Sequence, residues 1–191
     1  CHDFHEFLQK DQTLALKYQE FFNKISKVRG EQIAGESFIG KKKYLALIAH
    51  NNMKAALMGF CSMHATKLEQ FPLIATGTTG SMLYKKTGLS LSQKVASGPL
   101  GGDQAVGTLI STKNICGVIF FRDPLSSHPH HADIEALGRL CDVYQIPFAT
   151  NPQSGEAILD FLLSGKGERE LIPNHVLDAY KQGQKKVIQA G

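Results

Sequence analysis

Short apolar runs alternate with helical stretches between residues 44 and 163, and this alternation limits the possible folds more than any other feature. Strands that alternate with helices form βαβ units, whose parallel sheets are covered by helices on both faces. The predicted strands are Tyr44–Ala49, Phe71–Thr76, Ser92–Ser97, Cys116–Phe121 and Ile146–Thr150. The predicted helices are Asn52–Met63, Thr79–Thr87, Asp103–Ser111, Asp133–Tyr144 and Ser154–Leu163. The pattern predicts an α/β, three-layer Rossmann-like domain with a five-stranded, mostly parallel sheet.

The first forty residues differ from the rest of the chain. Apolar side chains from Phe4 to Val28 recur at helical spacing, Gly30 can end that helix, and a polar stretch follows to Lys43. We therefore expect an N-terminal helical extension and linker over residues 1–40, and one further domain over residues 41–191.

The composition excludes several classes of protein. The chain has 42% hydrophobic and 20% charged residues, a globular balance, and its net charge of +4 is scattered. That charge is too weak for a nucleic-acid surface, but it suits an anionic small ligand. A membrane span is not expected, because there is no run of about 18 apolar residues and no signal-peptide pattern. The four cysteines form no CxxC pair, so we expect reduced thiols in a cytoplasmic protein.

Glycine-rich and polar segments follow the predicted strands, where parallel α/β sheets bind their ligands. Thr76–Gly80 follows a strand and opens a helix. Its glycines allow close backbone approach, its hydroxyls can donate to oxygens, and a helix N-terminus favours an anion. The segment fits either a phosphate cradle or an ordinary turn capped by threonine.

A second glycine-rich turn, Ser97–Asp103, ends in a carboxylate. Asp103 fits a simple helix N-cap. However, a cap does not need three glycines within five residues, and their presence indicates that the backbone approaches a ligand that Asp103 faces.

His50 ends the first predicted strand, and Lys54 lies one helical turn further on. A lone histidine at a strand end is more often structural than catalytic. A phosphate site, however, requires both a fixed charge and a neutral donor, and this pair of residues supplies them.

Three histidines, His128, His130 and His131, lie in a proline-broken loop ahead of a helix. A metal site would need accompanying carboxylates or cysteines, so no metal is expected there. Asp133 begins the helix and fits either a cap or a carboxylate that orients a histidine. Asp123 precedes Pro124 and fits a turn.

Together these groups suit proton abstraction next to the carbonyl of a phosphorylated triose. The carboxylate would accept the proton, and a neutral imidazole would polarise the carbonyl. The chain has neither a Walker motif nor a GxGxxG fingerprint, and no cofactor is expected.

The segments TGTTG, SGP-GGDQ-VG, FF-DPL, PH--D and IP-ATN resemble those of the methylglyoxal synthases, in the same order over about residues 43–165. The resemblance implies a methylglyoxal synthase-like fold and a lyase that converts dihydroxyacetone phosphate to methylglyoxal and inorganic phosphate, as a bypass of glycolysis. Proton removal would give an enediol(ate), from which phosphate leaves by C–O cleavage. It also implies metal-free chemistry, a cytoplasmic homohexamer and inhibition by phosphate.

The resemblance also implies roles for individual residues. Asp103 would be the base, His130 the electrophile on the carbonyl and enediolate oxygens, and Asp133 the support of His130. The expected phosphate ligands are Lys54, Thr76, Gly77, Thr78, Thr79, Ser97 and Gly98, and His50 also contacts the substrate. Arg139 matches a family arginine near the subunit interface. Two features depart from the family pattern: Asn51 replaces the usual aspartate, and the extension over residues 1–40 is not part of the common core.

A non-catalytic reading competes with the enzyme. The same fold serves as a regulatory ligand-binding domain in carbamoyl phosphate synthetase and as a catalytic domain in inosine monophosphate cyclohydrolase. A regulatory domain that binds a phosphorylated ligand should keep the phosphate cradle and lose the base. The presence of Asp103, His130 and Asp133 therefore favours the enzyme. A structural or interaction role would rest only on the N-terminal helix.

Overall fold

The computed structural model describes residues 43–165 and 173–190. Five parallel strands form one sheet in the order β3-β2-β1-β4-β5. The strands are β1 Tyr44–Ala49, β2 Leu73–Thr76, β3 Gln93–Val95, β4 Ile115–Phe121 and β5 Phe148–Ala149. Numbered within the described residues, the helices are α1 Lys54–Met63, α2 Ala65–Leu68, α3 Gly77–Thr87, α4 Gly102–Ser111, α5 His131–Tyr144, α6 Pro152–Leu163 and α7 His175–Ala190. Single 3-10 turns cover Asn51–Met53 and Gly98–Leu100.

The α/β fold and its five-stranded sheet are confirmed, and every strand pair is parallel rather than most of them. The strands β2 and β5 are shorter than predicted, because Pro72 and Pro147 have no N–H to donate to a neighbouring strand. Helices α3 and α4 begin earlier than predicted, at Gly77 and Gly102. Glycine has a poor helix propensity, so a prediction from propensity places those starts too late.

Two apolar layers lie on opposite faces of the sheet. Leu45 and Leu47 of β1 belong to one buried cluster, whereas Ala46 and Ile48 belong to the other. The first cluster is completed by side chains of α1, α3 and α6, and the second by side chains of α4 and α5. The alternation along β1 follows from the two-residue period of a strand, and it confirms the three-layer arrangement.

The chain order of the strands reverses at β1, and this places a crevice beyond the carboxyl ends of β1 and β4. The chain runs outward from β1 through β2 to β3 and then returns to the other side of β1 with β4. In parallel α/β sheets, ligands bind at such a switch point. The segments that follow these strands are those that the sequence marks as glycine-rich or polar.

Helix α7 was not predicted from the sequence. The Asn174 amide before it donates to the Val143 carbonyl of α5 at 2.8 Å, and the Leu177 N–H donates to Asn174 Oδ1 at 3.1 Å. Val176, Tyr180 and Val187 along it are exposed. Neither α7 nor any other helix in the described ranges is long and apolar enough to cross a bilayer.

The helix expected between Phe4 and Val28, the linker after Gly30 and the domain boundary expected at residue 41 lie outside the described residues.

Candidate active site

A cavity of about 550 Å³ lies beyond the carboxyl ends of β1, β2 and β4. It is lined by most of the residues that the sequence marks as candidates: His50, Lys54, Thr76, Thr78, Thr79, Ser97, Gly98, Asp103 and His130. Asn51, Asn52, Ser126, Ser127 and His128 line it as well. Side chains that lie far apart in the sequence therefore meet in one cavity.

The predicted phosphate cradle forms one wall of this cavity. Thr76 is the N-cap of α3 but makes no side-chain capping bond, so the first turn of the helix still has donors for an anion. Lys54 Nζ donates to Thr78 Oγ1, and it donates to Asn51 Oδ1 at 2.6 Å. Both acceptors are neutral, so the ammonium keeps its full charge for a ligand.

Gly77 does not line the cavity itself but allows α3 to approach the neighbouring turn. Its φ is +37°, and a Cβ there would lie 2.7 Å from Ser97 Cβ. The Gly77 N–H donates to the Ala96 carbonyl at 3.1 Å. A side chain at this position would push the cradle away from Ser97 and Gly98.

Asp103 lies in the first turn of α4, with its side chain directed toward the cavity. The N-cap of α4 is Gly101 and no side chain caps the helix, so Asp103 is not the simple cap that the sequence also allowed. Asp103 is only 2% exposed, and neither carboxylate oxygen has a hydrogen-bond partner among the described residues. A buried carboxylate without donors is costly, and a site that retains one indicates a use for it.

The pKa of Asp103 is raised. Burial is the largest cause, and the nearby Asp133 adds to it, whereas His130 acts in the opposite direction. Desolvation penalises the ionised form, which makes the carboxylate a stronger base than it would be in water.

His130 lies directly across from this carboxylate, with its Nε2 3.7 Å from Asp103 Oδ2. Its Nδ1 is buried and has no hydrogen-bond partner within the described part of the chain. Gly98 accounts for the close arrangement, because a Cβ there would lie 2.9 Å from Asp103 Oδ2 and 3.1 Å from His130 Nε2.

Asp133 takes a different place from the one expected. Its backbone N–H donates to the His130 carbonyl at 3.0 Å. In residues 43–165 and 173–190, however, no hydrogen bond or ion pair joins its carboxylate to the His130 ring. Asp133 instead lines a second cavity of about 280 Å³, which also reaches Asp103. Its support of His130 stays a prediction, and its electrostatic effect is on Asp103.

His50 directly follows β1, at the start of the 3-10 turn Asn51–Met53, and is 7% exposed. The backbone N–H of Asp123 donates to its Nδ1 at 2.8 Å, so a neutral ring must carry its proton on Nε2. That Nε2 is buried and has no partner among the residues described. The pKa of His50 is lowered to about 4, first by burial and then by His128 and His130. At neutral pH the ring is therefore an uncharged donor beside the cavity.

The Asp123 side chain ties two loops together. Its Oδ2 accepts from Asn52 Nδ2 at 2.8 Å and from Ser126 Oγ at 2.6 Å, and its Oδ1 accepts from the Leu125 N–H at 3.2 Å. These bonds, Ser126 first and then Asn52, lower the pKa of Asp123. The turn that the sequence indicated at Asp123 thus joins the end of β4 to the end of β1.

Sequence reasoning missed the part played by Asn52, Ser126, Ser127 and His128. Their segments follow β1 and β4, which was the available signal. The direction of each side chain depends on a 3-10 turn and a proline turn, and no periodicity predicts that. In the described ranges, no group of three or more histidine, cysteine, aspartate or glutamate side chains is arranged to hold a metal ion.

Comparison with known proteins shows which family the chain resembles. Residues 56–150 match the MGS-like domain family. The chain is 49% identical over 122 residues to the methylglyoxal synthase of Clostridioides difficile, which covers 64% of this chain and 88% of the relative. It is 42% identical over 123 residues to the methylglyoxal synthase of Thermus thermophilus, and that alignment covers 64% of this chain and 97% of the relative. A crystal structure of methylglyoxal synthase from Elizabethkingia anophelis superimposes with a TM-score of 0.58 at 42% identity, over 62% of this chain and 77% of that one.

The fold and the cavity define an MGS-like α/β domain with a ligand site at the carboxyl edge of its sheet. Among proteins with this domain, the sequence identities of 42–49% to methylglyoxal synthases define the family. The chain belongs to the methylglyoxal synthase family.

Proposed function

We propose that this chain is a lyase that converts dihydroxyacetone phosphate to methylglyoxal and inorganic phosphate. The observation that carries the proposal is Asp103, a buried carboxylate with no hydrogen-bond partner among the described residues, 3.7 Å from an imidazole nitrogen and in the same cavity as a phosphate cradle. A base, an electrophile and an anion site in one cavity are the groups that this elimination needs.

The proposed reaction begins with the phosphate held by the first turn of α3 and by Lys54. Asp103 removes a proton from the hydroxymethyl carbon, and the electron pair moves toward the carbonyl oxygen. His130 and the neutral His50 would donate hydrogen bonds to the substrate oxygens and stabilise the enediol(ate). The hydroxyl on the deprotonated carbon then gives up its proton, which the departing phosphate can take, and its oxygen forms the aldehyde carbonyl. The enediol(ate) double bond shifts toward the phosphate-bearing carbon, and the C–O bond to phosphate breaks. The enol product takes up a proton and becomes methylglyoxal.

The cradle has a second role in this proposal. Elimination requires the C–O bond to stand across the plane of the enediolate, where it overlaps the π system. Thr76, Thr78, Thr79, Lys54, Ser97 and Gly98 would fix that torsion by holding the phosphate on one side. An isomerase would hold the same intermediate with its C–O bond in the plane, so that phosphate stays attached.

A regulatory domain with the same fold would bind a phosphorylated ligand without chemistry. Such a domain would gain nothing from a buried carboxylate that lowers the stability of the fold. Asp103 and His130 are therefore more easily explained by a reaction than by binding alone.

We also propose that the protein is a homohexamer in the cytoplasm and that inorganic phosphate inhibits it. The family resemblance supports the assembly and the location, and Arg139, expected near a subunit interface, lies exposed on α5. Inhibition is supported by the cradle, whose donors recognise phosphate oxygens rather than the triose.

The test is an assay of the purified protein with dihydroxyacetone phosphate that follows methylglyoxal and released phosphate together. We expect both products in equal amounts, full activity after exhaustive chelation, and a lower rate when phosphate replaces chloride at matched ionic strength. Phosphate binding without either product would favour the regulatory domain. Activity lost on chelation and restored by one divalent ion would contradict the metal-free reaction.

A further inference from the structure

The ring of His128 stacks on the ring of His50. Their centroids are 3.5 Å apart and their planes are tilted by 32°. Both residues line the cavity, yet the proposed reaction so far uses only His50. Two imidazoles in such contact at a ligand site call for a physical explanation, because like-charged rings this close repel each other when both are protonated.

The backbone of a single residue holds both rings. The Asp123 N–H donates to His50 Nδ1 at 2.8 Å, and the Asp123 carbonyl oxygen lies 3.3 Å from His128 Nε2. A carbonyl can only accept, so His128 Nε2 must carry a proton. Asp123 is itself anchored through its carboxylate by Asn52 and Ser126. The stack is therefore part of a bonded assembly rather than a chance contact between loops.

An apolar ring also packs against His50, whose edge-on neighbour at a longer centroid distance of 6.1 Å is His130. Phe120 of β4 meets His50 edge-on, with centroids 4.9 Å apart and planes at 79°. His50 thus has Phe120 and His128 packed against it and a hydrogen bond on Nδ1. These contacts leave Nε2 as its free polar atom, and they fix the direction in which that atom points.

We propose that His128 is a positioning residue for His50. Its ring covers His50, excludes water from it and keeps its Nε2–H directed at the substrate oxygen. This inference rests on the proposed function for its effect on turnover, but the state of the His50 ring can be measured without any substrate.

The charged groups around His50 define the consequence for pH. His128, His130 and Arg122 disfavour a positive charge on His50, whereas Asp123 favours it. Burial is the largest contribution to its lowered pKa, and His128 is the next. Removing the His128 ring weakens both, because it opens His50 to water and deletes the neighbouring imidazole. The pKa of His50 should then rise from about 4 toward 6.5.

The experiment compares His128→Ala, His128→Phe and the matched control His131→Ala in the full chain. Each variant is titrated by NMR of its imidazole nitrogens, and kcat and KM are measured with dihydroxyacetone phosphate. His131 is a suitable control because it is an exposed histidine three residues further on, at the start of α5, and does not line the cavity. Phenylalanine keeps a stacked ring and removes the second imidazole.

We expect His128→Ala to raise the pKa of His50 by about one unit or more and to lower kcat at pH 7 by about tenfold. His128→Phe should retain turnover within about threefold, since the ring still covers His50. His131→Ala should change neither quantity. An unchanged His50 titration in His128→Ala, or an equal loss of turnover in the alanine and phenylalanine variants, would overturn the positioning role. If the parent protein formed no methylglyoxal, the proposed function would fail, while the titration would still test the stack.

Discussion

Two aspartates close to the cavity each have an imidazole as a neighbour, but their environments are opposite. Asp103 is 2% exposed, has no hydrogen-bond partner among the described residues, and faces His130 at 3.7 Å. Asp123 lies nearer the surface, accepts three hydrogen bonds on its carboxylate and holds His50 through its backbone N–H. The pKa of Asp103 is raised by burial, and that of Asp123 is lowered by hydrogen bonds.

The difference shows how one residue type serves two purposes. A carboxylate that accepts several hydrogen bonds is a weak base, and it stabilises the loops that donate to it. A carboxylate that is stripped of donors is unstable in its charged form and accepts a proton readily. The proposed base and the residue that supports the loops have the same side chain. Their hydrogen bonds and their burial, rather than the residue type, therefore determine how basic each carboxylate is.

The largest expected effect comes from Asp103→Asn. The amide cannot accept the proton, so turnover should fall by about 10²–10⁴-fold or more. Binding of inorganic phosphate should survive, because the cradle and Lys54 are unchanged. An assay of turnover beside calorimetry of phosphate binding separates the two effects, with Asp142→Asn as a matched loss of charge on an exposed face of α5.

The same variant has a second readout in stability. Because the pKa of Asp103 is raised in the folded state, folding favours the protonated form, and stability is lost as the pH rises through that pKa. Replacing the carboxyl by a neutral amide should therefore raise Tm at pH 7. Turnover within about threefold of the parent would show that Asp103 is not the base, because loss of a capping or spectator carboxylate would have only such a small effect.

Asp123→Asn should have a smaller effect on turnover and the opposite effect on stability. The amide keeps one acceptor oxygen, which can still accept from Asn52 and Ser126 at the Oδ2 position, but its NH2 group then faces the Leu125 N–H and that hydrogen bond is lost. The loop that orients His50 should loosen, which lowers kcat by about 10- to 10²-fold and lowers Tm. Kinetics and thermal melting of both aspartate variants test the contrast. Equal losses of turnover with equal changes in Tm would remove the distinction between base and scaffold.

At acidic pH, the dependence of kcat on pH should follow the titration of Asp103. Protonated Asp103 cannot accept the substrate proton, so kcat should decrease as the pH falls through its raised pKa, above the ordinary aspartate range. His50 should become charged only near pH 4, so its ring stays a neutral donor at neutral pH. The profile of kcat between about pH 4 and pH 8 provides the measurement. An activity that stays constant down to the ordinary pKa of an aspartate would contradict the effect of burial.

The smallest effect is expected at Asn51, which accepts from Lys54 at 2.6 Å. Asn51→Asp would place a negative charge between this ammonium and the phosphate. The inhibition constant for phosphate and the KM should both rise, by roughly two- to tenfold for a partly exposed charge pair.

Asn114→Asp serves as the control for Asn51→Asp, because Asn114 directly precedes β4 and so lies at the amino-terminal end of the strands, opposite the cavity. It adds the same charge far from the cradle and should leave both constants unchanged. Tighter phosphate binding in Asn51→Asp would show that the Lys54 charge is not what attracts the anion.

Much of the fold could be predicted from the sequence, because buried parallel strands such as Tyr44–Ala49 are continuous apolar runs. The first residues of the helices were harder to predict, since Gly77 and Gly102 begin helices where close packing excludes a side chain, and not because glycine favours a helix. Helix α7 was missed although apolar residues recur along it at helical spacing. Among these, Val176, Tyr180 and Val187 are exposed and belong to neither buried cluster of the sheet.

The candidate site was predictable to the level of segments and only partly to the level of contacts. Thr76–Gly80 and Ser97–Asp103 stand out because glycines concentrate where a backbone must come close to a ligand. The His50–His128 stack and the hydrogen bonds that join Asp123 to His50 and Asn52 could not be predicted, because they connect residues 71 or more positions apart through turn geometry. The placement of Asp133 beside Asp103 depends on the packing of α4 against α5, which no local pattern encodes.

The pairing of the central strands affects the order in which the parts of the site can form during synthesis. Tyr44 pairs with Ile115, and Ala49 pairs with Phe121, so β1 must wait for a long stretch of chain before its second neighbour arrives. Closing a loop of that length is entropically costly and slow compared with local pairing. On the ribosome, the phosphate cradle and Asp103 emerge before His128 and His130. A nascent chain that ends before β4 therefore carries the phosphate cradle, Asp103 and His50, but it lacks His130, the electrophile of the proposed reaction, and His128.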